Sequence, residues 1–272
     1  MIRSGQNPLA RPVTLTRWEG TTHREINDFV AVEEPLEIRL GERSLALVMR
    51  TPGNDRELAA GFLVSEGIVR HANDVLDIVR CGQGAEAEPN VLTVHLAPRV
   101  QVDWDRLTRH TFASSSCGLC GKTSIDAVRT MALALESRPV HSRSVLEGIS
   151  HVLRERQQAF ALTGGVHASG LFAADGKLIA LREDVGRHNA LDKVTGWALL
   201  AGRLPLSECI LFVSGRVSFE LMQKALMAGI PTVAAVSAPT SLAVEFSRES
   251  GQTLIGFVRG GRMNVYSGTI DG

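Results

Sequence analysis

The sequence predicts an α/β fold, α+β when the whole chain is counted, on three observations. From about residue 166 onward, short apolar runs alternate with amphipathic stretches, as strands and helices do in one mixed layer. The first hundred residues instead carry short β-leaning runs around a single helical stretch. Between them lies a small, polar, Gly-rich segment holding two cysteines at C-x-x-C spacing. The expected division is a mixed, strand-rich N-terminal subdomain over 1–113, a mobile Cys-x-x-Cys loop over 114–121, and an α/β cofactor-binding subdomain over 122–272.

Residues 1–30 carry little periodicity and read as a mobile arm or an early strand. Pro35 to Leu40 and Arg43 to Arg50 flank Gly41–Glu42 as a hairpin. Asn54–Asp55–Arg56–Glu57 has the pattern of a capping box, and Leu58, Phe62, Leu63 and Ile68 follow at helical spacing. Gly61 weakens that helix, and Gly67 marks its end. Val75 to Arg80 and Val91 to Leu96 read as strands, with Gly82–Gly84 and Pro89–Asn90 in the loop between them. After the cysteine loop, Ile125, Val128, Ala132 and Leu135 mark one helix face. Ser144–Val145–Leu146–Glu147 reads as a capping box for the next helix, with Ile149, Val152 and Leu153 on its apolar stripe.

Val166 to Ala173 and Leu178 to Arg182 flank the turn Ala174–Asp175–Gly176 as a second hairpin. A helix through Ala190, Leu191, Val194, Trp197 and Ala198 follows. Cys209 to Val213 is a continuous apolar run, as in a strand buried on both faces. Val217 to Ala228 is helical, Pro231 to Val236 a buried strand, and Pro239 to Ser250 helical again. Strands at Thr253 to Val258 and Met263 to Tyr266 close the chain around Gly260–Gly261. This order implies parallel strands joined by right-handed crossovers.

Composition narrows the function classes. Of 272 residues, 44 % are hydrophobic, enough for a substantial core. Lys plus Arg equals Asp plus Glu at 29 each, so no electrostatic footprint for nucleic acid or a membrane surface is expected. The polar, Pro-interrupted start of the chain lacks the apolar core of a secretory signal, and no apolar run approaches membrane-spanning length. The expectation is a cytoplasmic protein. Four cysteines (Cys81, Cys117, Cys120 and Cys209) are too few for a secreted disulfide framework.

The C-x-x-C pair is the sharpest feature. Two thiols at this spacing share a metal, cycle as a disulfide, or pass sulfur as a persulfide. Lys122 and the start of the following helix would favour thiolate. The alternative is a buried pair or half a zinc site, although no second C-x-x-C exists to close one. His167, in Thr163–Gly164–Gly165–Val166–His167, would complete a His/Cys/Cys set like that of nucleobase deaminases. The order is reversed, however, and no Glu stands two residues after His167.

Arg182 to Lys193 packs polar groups into a strand-to-helix turn of the kind that lines ligand crevices, with helix capping by Asn189 as the plainer reading. Ser214–Gly215–Arg216 is a second such turn, whose N–H groups at Gly215 and Ser218 suit phosphate, although no P-loop is present. Glu220 and Lys224 read as an i,i+4 surface pair. Ser237 to Ser241 makes a third turn, and Phe257–Val258–Arg259–Gly260–Gly261–Arg262 adds two arginines and an aromatic. Clustered at one sheet edge with Arg187 and Arg216, these turns suit an anionic, phosphorylated, aromatic ligand.

Ser115 to Lys122, Thr163 to His167, Glu183 to Lys193, Ser214–Gly215–Arg216, Ser237 to Ser241, Glu34 to Ile38 and Gly61 to Gly67 together resemble the formate dehydrogenase accessory sulfurtransferases, the FdhD family. The resemblance runs from Pro35 to Tyr266. It implies a homodimer with a three-layer core resembling cytidine deaminase. It implies a sulfurtransferase that takes persulfide sulfur from a cysteine desulfurase and delivers it to the molybdenum (or tungsten) bis(guanine dinucleotide) cofactor, bound as substrate, that formate dehydrogenase needs. On this resemblance Cys117 carries the persulfide, Cys120 is its relay partner, and Phe257 to Arg262 bind the cofactor together with His167, Arg187, His188 and the Ser214–Arg216 turn. No resident metal is expected. A zinc-dependent nucleobase hydrolase using Cys117, Cys120 and His167, or a non-catalytic cofactor or apoenzyme chaperone, are the competing readings.

Overall fold

The computed structural model describes residues 9–81, 88–105, 107, 135 and 137–272. Cys117, Cys120, Lys122 and the helix expected from Ile125 to Ala132 lie outside the described residues.

Strands β1 (Ala10–Glu19) and β2 (Thr22–Ala31) form an antiparallel hairpin where the sequence suggested an arm or one early strand. Most of its residues are exposed, and the period-2 alternation is confined to Val13–Thr14–Leu15–Thr16, too short to mark two ten-residue strands. Next, β3 (Glu34–Leu40) and β4 (Arg43–Arg50) make the expected hairpin, with Gly41 at φ 59 in its tight turn. With β5 (Val75–Cys81) and β6 (Glu88–Leu96) they form a four-stranded sheet ordered β4-β3-β6-β5. Strand β6 starts earlier than expected and takes in Pro89–Asn90.

Helix α1 (Asp55–Ser65) covers this sheet. The expected capping box does not form. Asn54 sits in the left-handed region at φ 57 and makes no side-chain cap, whereas capping requires extended backbone there. Glu57, the other half of the box, is drawn instead to Arg182. Asp55 takes over the helix start and binds the buried Arg50 guanidinium at 3.0 and 3.1 Å.

After β7 (His141–Ser142) comes α2 (Arg143–Arg156). Its cap is Ser142, whose Oγ accepts from Val145 N at 3.3 Å, two residues before the expected Ser144. The short helix α3 (Gln158–Thr163), which the sequence reading missed, follows directly. Then come β8 (His167–Phe172), β9 (Leu178–Asp184), α4 (Arg187–Leu200), β10 (Ile210–Val213), α5 (Phe219–Met227), β11 (Thr232–Ala235), α6 (Ser241–Ser250), β12 (Thr253–Arg259), β13 (Arg262–Ser267) and β14 (Ile270–Asp271). Strand β14 pairs in parallel with β7.

The larger sheet has the order β13-β12-β11-β10-β8-β9. Its centre, β10-β11-β12, is parallel as the buried apolar runs predicted, while β8, β9 and β13 join antiparallel. Side chains alternate between two cores. Ile210, Phe212, Ala234 and Ile255 face α2 through Leu146, Ile149 and Leu153. Leu211, Val213, Val233, Ala235 and Leu254 face α4, α5 and α6 through Leu191, Val194, Leu221, Met222 and Phe246. Helix, sheet and helices make the expected three layers. Helix α4 is buried on nearly all sides because α1 and the four-stranded sheet lie on its outer face. Among the described residues no helix is long and apolar enough to cross a membrane.

Candidate functional site

The carboxyl ends of parallel strands carry loops that no helix covers, which is where ligands enter α/β sheets. Here a cleft of about 710 Å³ opens between the carboxyl ends of β10, β11 and β12 and the flank of α2. The strand side supplies Ser214, Val236, Val258, Arg259, Gly260 and Gly261. The helix side supplies Glu147, Ser150, His151 and Arg154, one polar stripe at i, i+3, i+4 and i+7. Gln157, Phe160 and the Gly164–His167 segment close one end. Among the described residues Arg154 and Arg259 make no ion pair, whereas Glu147 is held by Arg143 at 2.8 Å. The free charge on the rim is therefore positive.

Six of the sequence-predicted ligand residues, His167, Ser214, Val258, Arg259, Gly260 and Gly261, line this cleft. The turn that carries the last of them is shaped by a bulge in β12. Phe257 occupies φ 55, a conformation unusual for a residue with a side chain, and its N–H donates to Ser237 O at 3.2 Å. Arg143 reaches from the first turn of α2 to donate to Gly261 O at 3.0 Å, fixing the Gly-rich turn against the helix. Phe257 is thus the bulge residue, and Arg262 stands across the hairpin from Arg259 without lining the cleft.

Gly215, Arg187 and His188 lie beside His167, and the exposed Arg216 is near enough for its charge to act on the ring. A Cβ on Gly215 would lie 3.1 Å from His167 Nδ1, so the absence of a side chain lets the turn sit on the ring. Burial, then Arg187 and Arg216, push the His167 pKa below the ordinary histidine value, with Asp184 opposing. His188 is driven further, to about 4, by burial and by Lys224 and Arg187. Its Nε2 lies 3.4 Å from Ser218 Oγ. Both rings are therefore neutral at pH 7. Among the described residues, Arg187 Nε is buried without a hydrogen-bond partner.

Most of the polar Arg182–Lys193 segment has a different task from the one expected. Arg182 binds Glu57, and Glu183 accepts from Ala159 N and Phe160 N at 2.9 Å each. Asp184, fully buried, accepts from Thr51 N, Gly186 N, Asn189 Nδ2 and Lys193 Nζ. Asn189 does not cap α4; it donates to Met49 O at 2.7 Å. Asp192 binds Ser65 Oγ at 2.6 Å and Lys224 Nζ at 2.7 Å, so Lys224 pairs with a buried carboxylate rather than with Glu220. These residues join the two sheets. Likewise Thr240, in the Ser237–Ser241 turn, caps α6 by accepting from Ala243 N. The sequence reading missed the α2 stripe because it has the pattern of an ordinary solvated helix face.

Cys209 is free and half-buried, and burial followed by the neighbouring Glu208 raises its thiol pKa, which keeps thiolate scarce. Cys117 and Cys120, on which both the sulfur and the zinc readings depend, lie outside the described residues.

With this geometry in place, the chain can be set beside known proteins. Residues 31–270 match the FdhD/NarQ family. The sulfur carrier protein FdhD of Streptomyces avermitilis is 53 % identical over 248 residues, covering 89 % of this chain and 88 % of that one. The protein of the same name from Nocardia farcinica is 50 % identical over 273 residues, covering 97 % and 95 %. A crystal structure from Desulfotalea psychrophila, of a protein assigned as a formate dehydrogenase accessory protein, superposes with a TM-score of 0.76 at 26 % identity, covering 96 % of this chain and 98 % of that one.

Proposed function

The chain belongs to the FdhD/NarQ family, and from that premise we propose that it is a sulfur carrier serving formate dehydrogenase: Cys117 accepts sulfur as a persulfide from a cysteine desulfurase and passes it on to the molybdenum bis(guanine dinucleotide) cofactor, held as substrate in the α2–β12 cleft. The observation that carries the reading is the cleft, with its backbone turn at Gly260–Gly261 and two arginines, Arg154 and Arg259, that make no ion pair among the described residues. That set suits phosphates, through backbone N–H groups and charge-assisted hydrogen bonds.

The sulfur chemistry balances with the residues of the pair. The Cys117 thiolate attacks the outer sulfur of the donor's persulfide, and the donor cysteine leaves as thiolate. Attack of the Cys120 thiolate on the inner sulfur of the Cys117 persulfide then forms a Cys117–Cys120 disulfide and releases the outer sulfur as sulfide to the acceptor. Two thiols are oxidised and one sulfur is reduced by two electrons. An external dithiol resets the pair.

A volume of about 710 Å³ suits one nucleotide-sized ligand. A substrate with two guanine dinucleotide arms therefore needs two clefts, which a homodimer supplies. The work is placed in the cytoplasm, where thiols stay reduced between turnovers.

Intact-protein mass spectrometry after incubation with a cysteine desulfurase and cysteine tests the proposal. Wild type and Cys209→Ser gain one sulfur; Cys117→Ala gains none. A Cys117→Ala protein that still gains sulfur, or still matures formate dehydrogenase, overturns it.

A further inference from the structure

We propose that the β1–β2 ribbon is the arm by which two copies of this chain meet, with β2 pairing antiparallel to the partner's β2 about a two-fold axis at Ile26. This gives a surface to the homodimer proposed above and rests on that reading only for the presence of a second copy.

The ribbon has little of its own chain to lean on. Its base rests on α3, and a Cβ on Gly165 would lie 3.3 Å from that of Ala31. Most of its other residues are exposed, Trp18, Phe29 and Val30 among them. A two-stranded ribbon standing free in water is marginally stable, and further strands make it stable.

Its two edges are not equivalent. Val32 N donates to Leu9 O at 3.1 Å, and from there the ladder bonds recur at every second pair. Arg24, Ile26, Asp28 and Val30 therefore bond to β1, while His23, Glu25, Asn27 and Phe29 turn their backbone N–H and C=O outward. On β1 the outward set is Pro12, Thr14, Thr16 and Trp18. Pro12 has no N–H to offer, which blunts that edge. Strand β2 contains neither Pro nor Gly. Its Phe29 N–H is held by Asp28 Oδ1 at 2.8 Å, outside the ladder. His23, Glu25 and Asn27 are the donors left along the open edge.

That edge is complementary to itself. The ribbon balances Arg11, Arg17 and Arg24 against Glu19, Glu25 and Asp28, so two ribbons carry no net repulsion. With Ile26 opposite the partner's Ile26, Arg24 falls opposite the partner's Asp28, and the two-fold axis repeats that pair on the other side. Glu25 exchanges both backbone bonds with the partner's Asn27, and His23 N–H reaches the carbonyl of the partner's Phe29. Within the ribbon Leu15 stands opposite Ile26. One apolar row therefore runs across four strands, Leu15, Ile26, the partner's Ile26 and the partner's Leu15, with an ion pair on each side. Sliding the pairing to its neighbouring registers sets Ile26 against the partner's Asp28 or the partner's Arg24, which breaks the row. An extended peptide from another protein would find the same backbone groups without this symmetry.

Sedimentation of the full-length protein over about 1–100 µM tests the arm with Asn27→Pro and Thr14→Pro. The two residues face each other across the ribbon, share one side-chain hydrogen bond at 3.1 Å, and both turn their N–H outward, but only Asn27 lies on the proposed seam. Asn27→Pro weakens the dimer by about tenfold or more. Thr14→Pro leaves it as in wild type, and all three give the same far-UV circular dichroism. Ile26→Cys tests the register independently. Directly opposite residues of a non-bonded pair have Cα atoms about 4.5 Å apart, within disulfide reach, so mild oxidation joins two chains. Thr14→Cys and the wild type, which carries the native cysteines, do not join under the same oxidant. A dimer that Asn27→Pro leaves intact, or an Ile26→Cys protein that joins no more than wild type, overturns the arm and leaves the homodimer to another surface. A wild-type protein that stays monomeric overturns it too, whatever else the edge binds. Sulfur loading of Cys117 is measured on the same wild-type preparation. Paired ribbons without loading sink the carrier function and leave the arm standing; loading of a monomer does the reverse.

Discussion

Gly61 of α1 and Gly196 of α4 cross with their backbones in direct contact. A Cβ on Gly61 would lie 1.8 Å from the carbonyl oxygen of Asp192, and one on Gly196 would lie 1.8 Å from that of Glu57. No rotamer change relieves either clash, because each meets backbone. Gly61→Ala and Gly196→Ala should each destabilise by about 3 kcal/mol or more, at the upper end of overpacking costs. The pair should be less than additive, since either substitution already separates the helices. Gly148→Ala in α2 is the control: nothing lies within 4 Å, so the same change is expected to be neutral or to stabilise by up to about 1 kcal/mol. Thermal unfolding of the four proteins reads all of this, and a normal midpoint for Gly61→Ala refutes the crossing.

Buried neutral histidines set an acid limit on the fold. His188 titrates near 4 in the folded chain and near 6.5 when unfolded. Between those values the unfolded chain binds the proton and the folded one does not, so stability falls as pH drops from about 6.5 to about 4 and then levels out. The span is worth about 3 kcal/mol for His188. His167 and His141, both lowered first by burial, act in the same direction. Unfolding midpoints measured from pH 7 to pH 4 should decline, and His188→Asn should flatten the decline. An unchanged slope in the variant rules out His188 as the source.

Much of this was legible in the sequence, for physical reasons that also mark where reading stopped. The apolar run Cys209 to Val213 and the stretch Pro231 to Val236 identified the parallel centre because both faces of the strands they contain, Ile210–Val213 and Thr232–Ala235, are buried. The polar crowd in Arg182–Lys193 looked like a site because sequence does not reveal partners: Thr51, Ser65, Met49 and Glu57 are more than a hundred positions away. Gly61 read as a flaw in a helix and is the condition for its packing. The cleft itself was half visible. Its strand-side turns carry Gly and Arg, while the α2 stripe becomes a wall only when Arg143 and Gly261, 118 residues apart, are brought together.

The buried pair of Asp192 and Lys224 should behave as a unit. Asp192 is 2 % exposed and bound by both Lys224 Nζ and Ser65 Oγ. Lys224→Met leaves that carboxylate without its cation and should cost about 3–5 kcal/mol. Adding Asp192→Asn removes the stranded charge and should restore a good part of the loss, giving a coupling energy above about 1 kcal/mol in a double-mutant cycle. Additive losses in chemical denaturation would show that the two side chains stabilise the fold independently.

Arg143 should affect binding far more than stability. Its ion pair with Glu147 is solvent-exposed, and such pairs are worth about 0–1 kcal/mol. Its hydrogen bond to Gly261 O, however, holds the Gly260–Gly261 turn against α2 at the point where β12 has bulged. Freed from it, two adjacent glycines, both at positive φ, regain many backbone states, and a ligand must order them again. Arg143→Ala should therefore lower GDP affinity by about three- to tenfold while the unfolding midpoint moves by only a degree or two. Arg143→Lys keeps the charge and one donor but loses the planar fork that serves Glu147 and Gly261 at once, so it should fall between the two. Glu147→Gln tests the route. If Glu147 acts by aiming Arg143, GDP affinity drops; if it acts only as a negative charge beside the phosphates, GDP affinity rises.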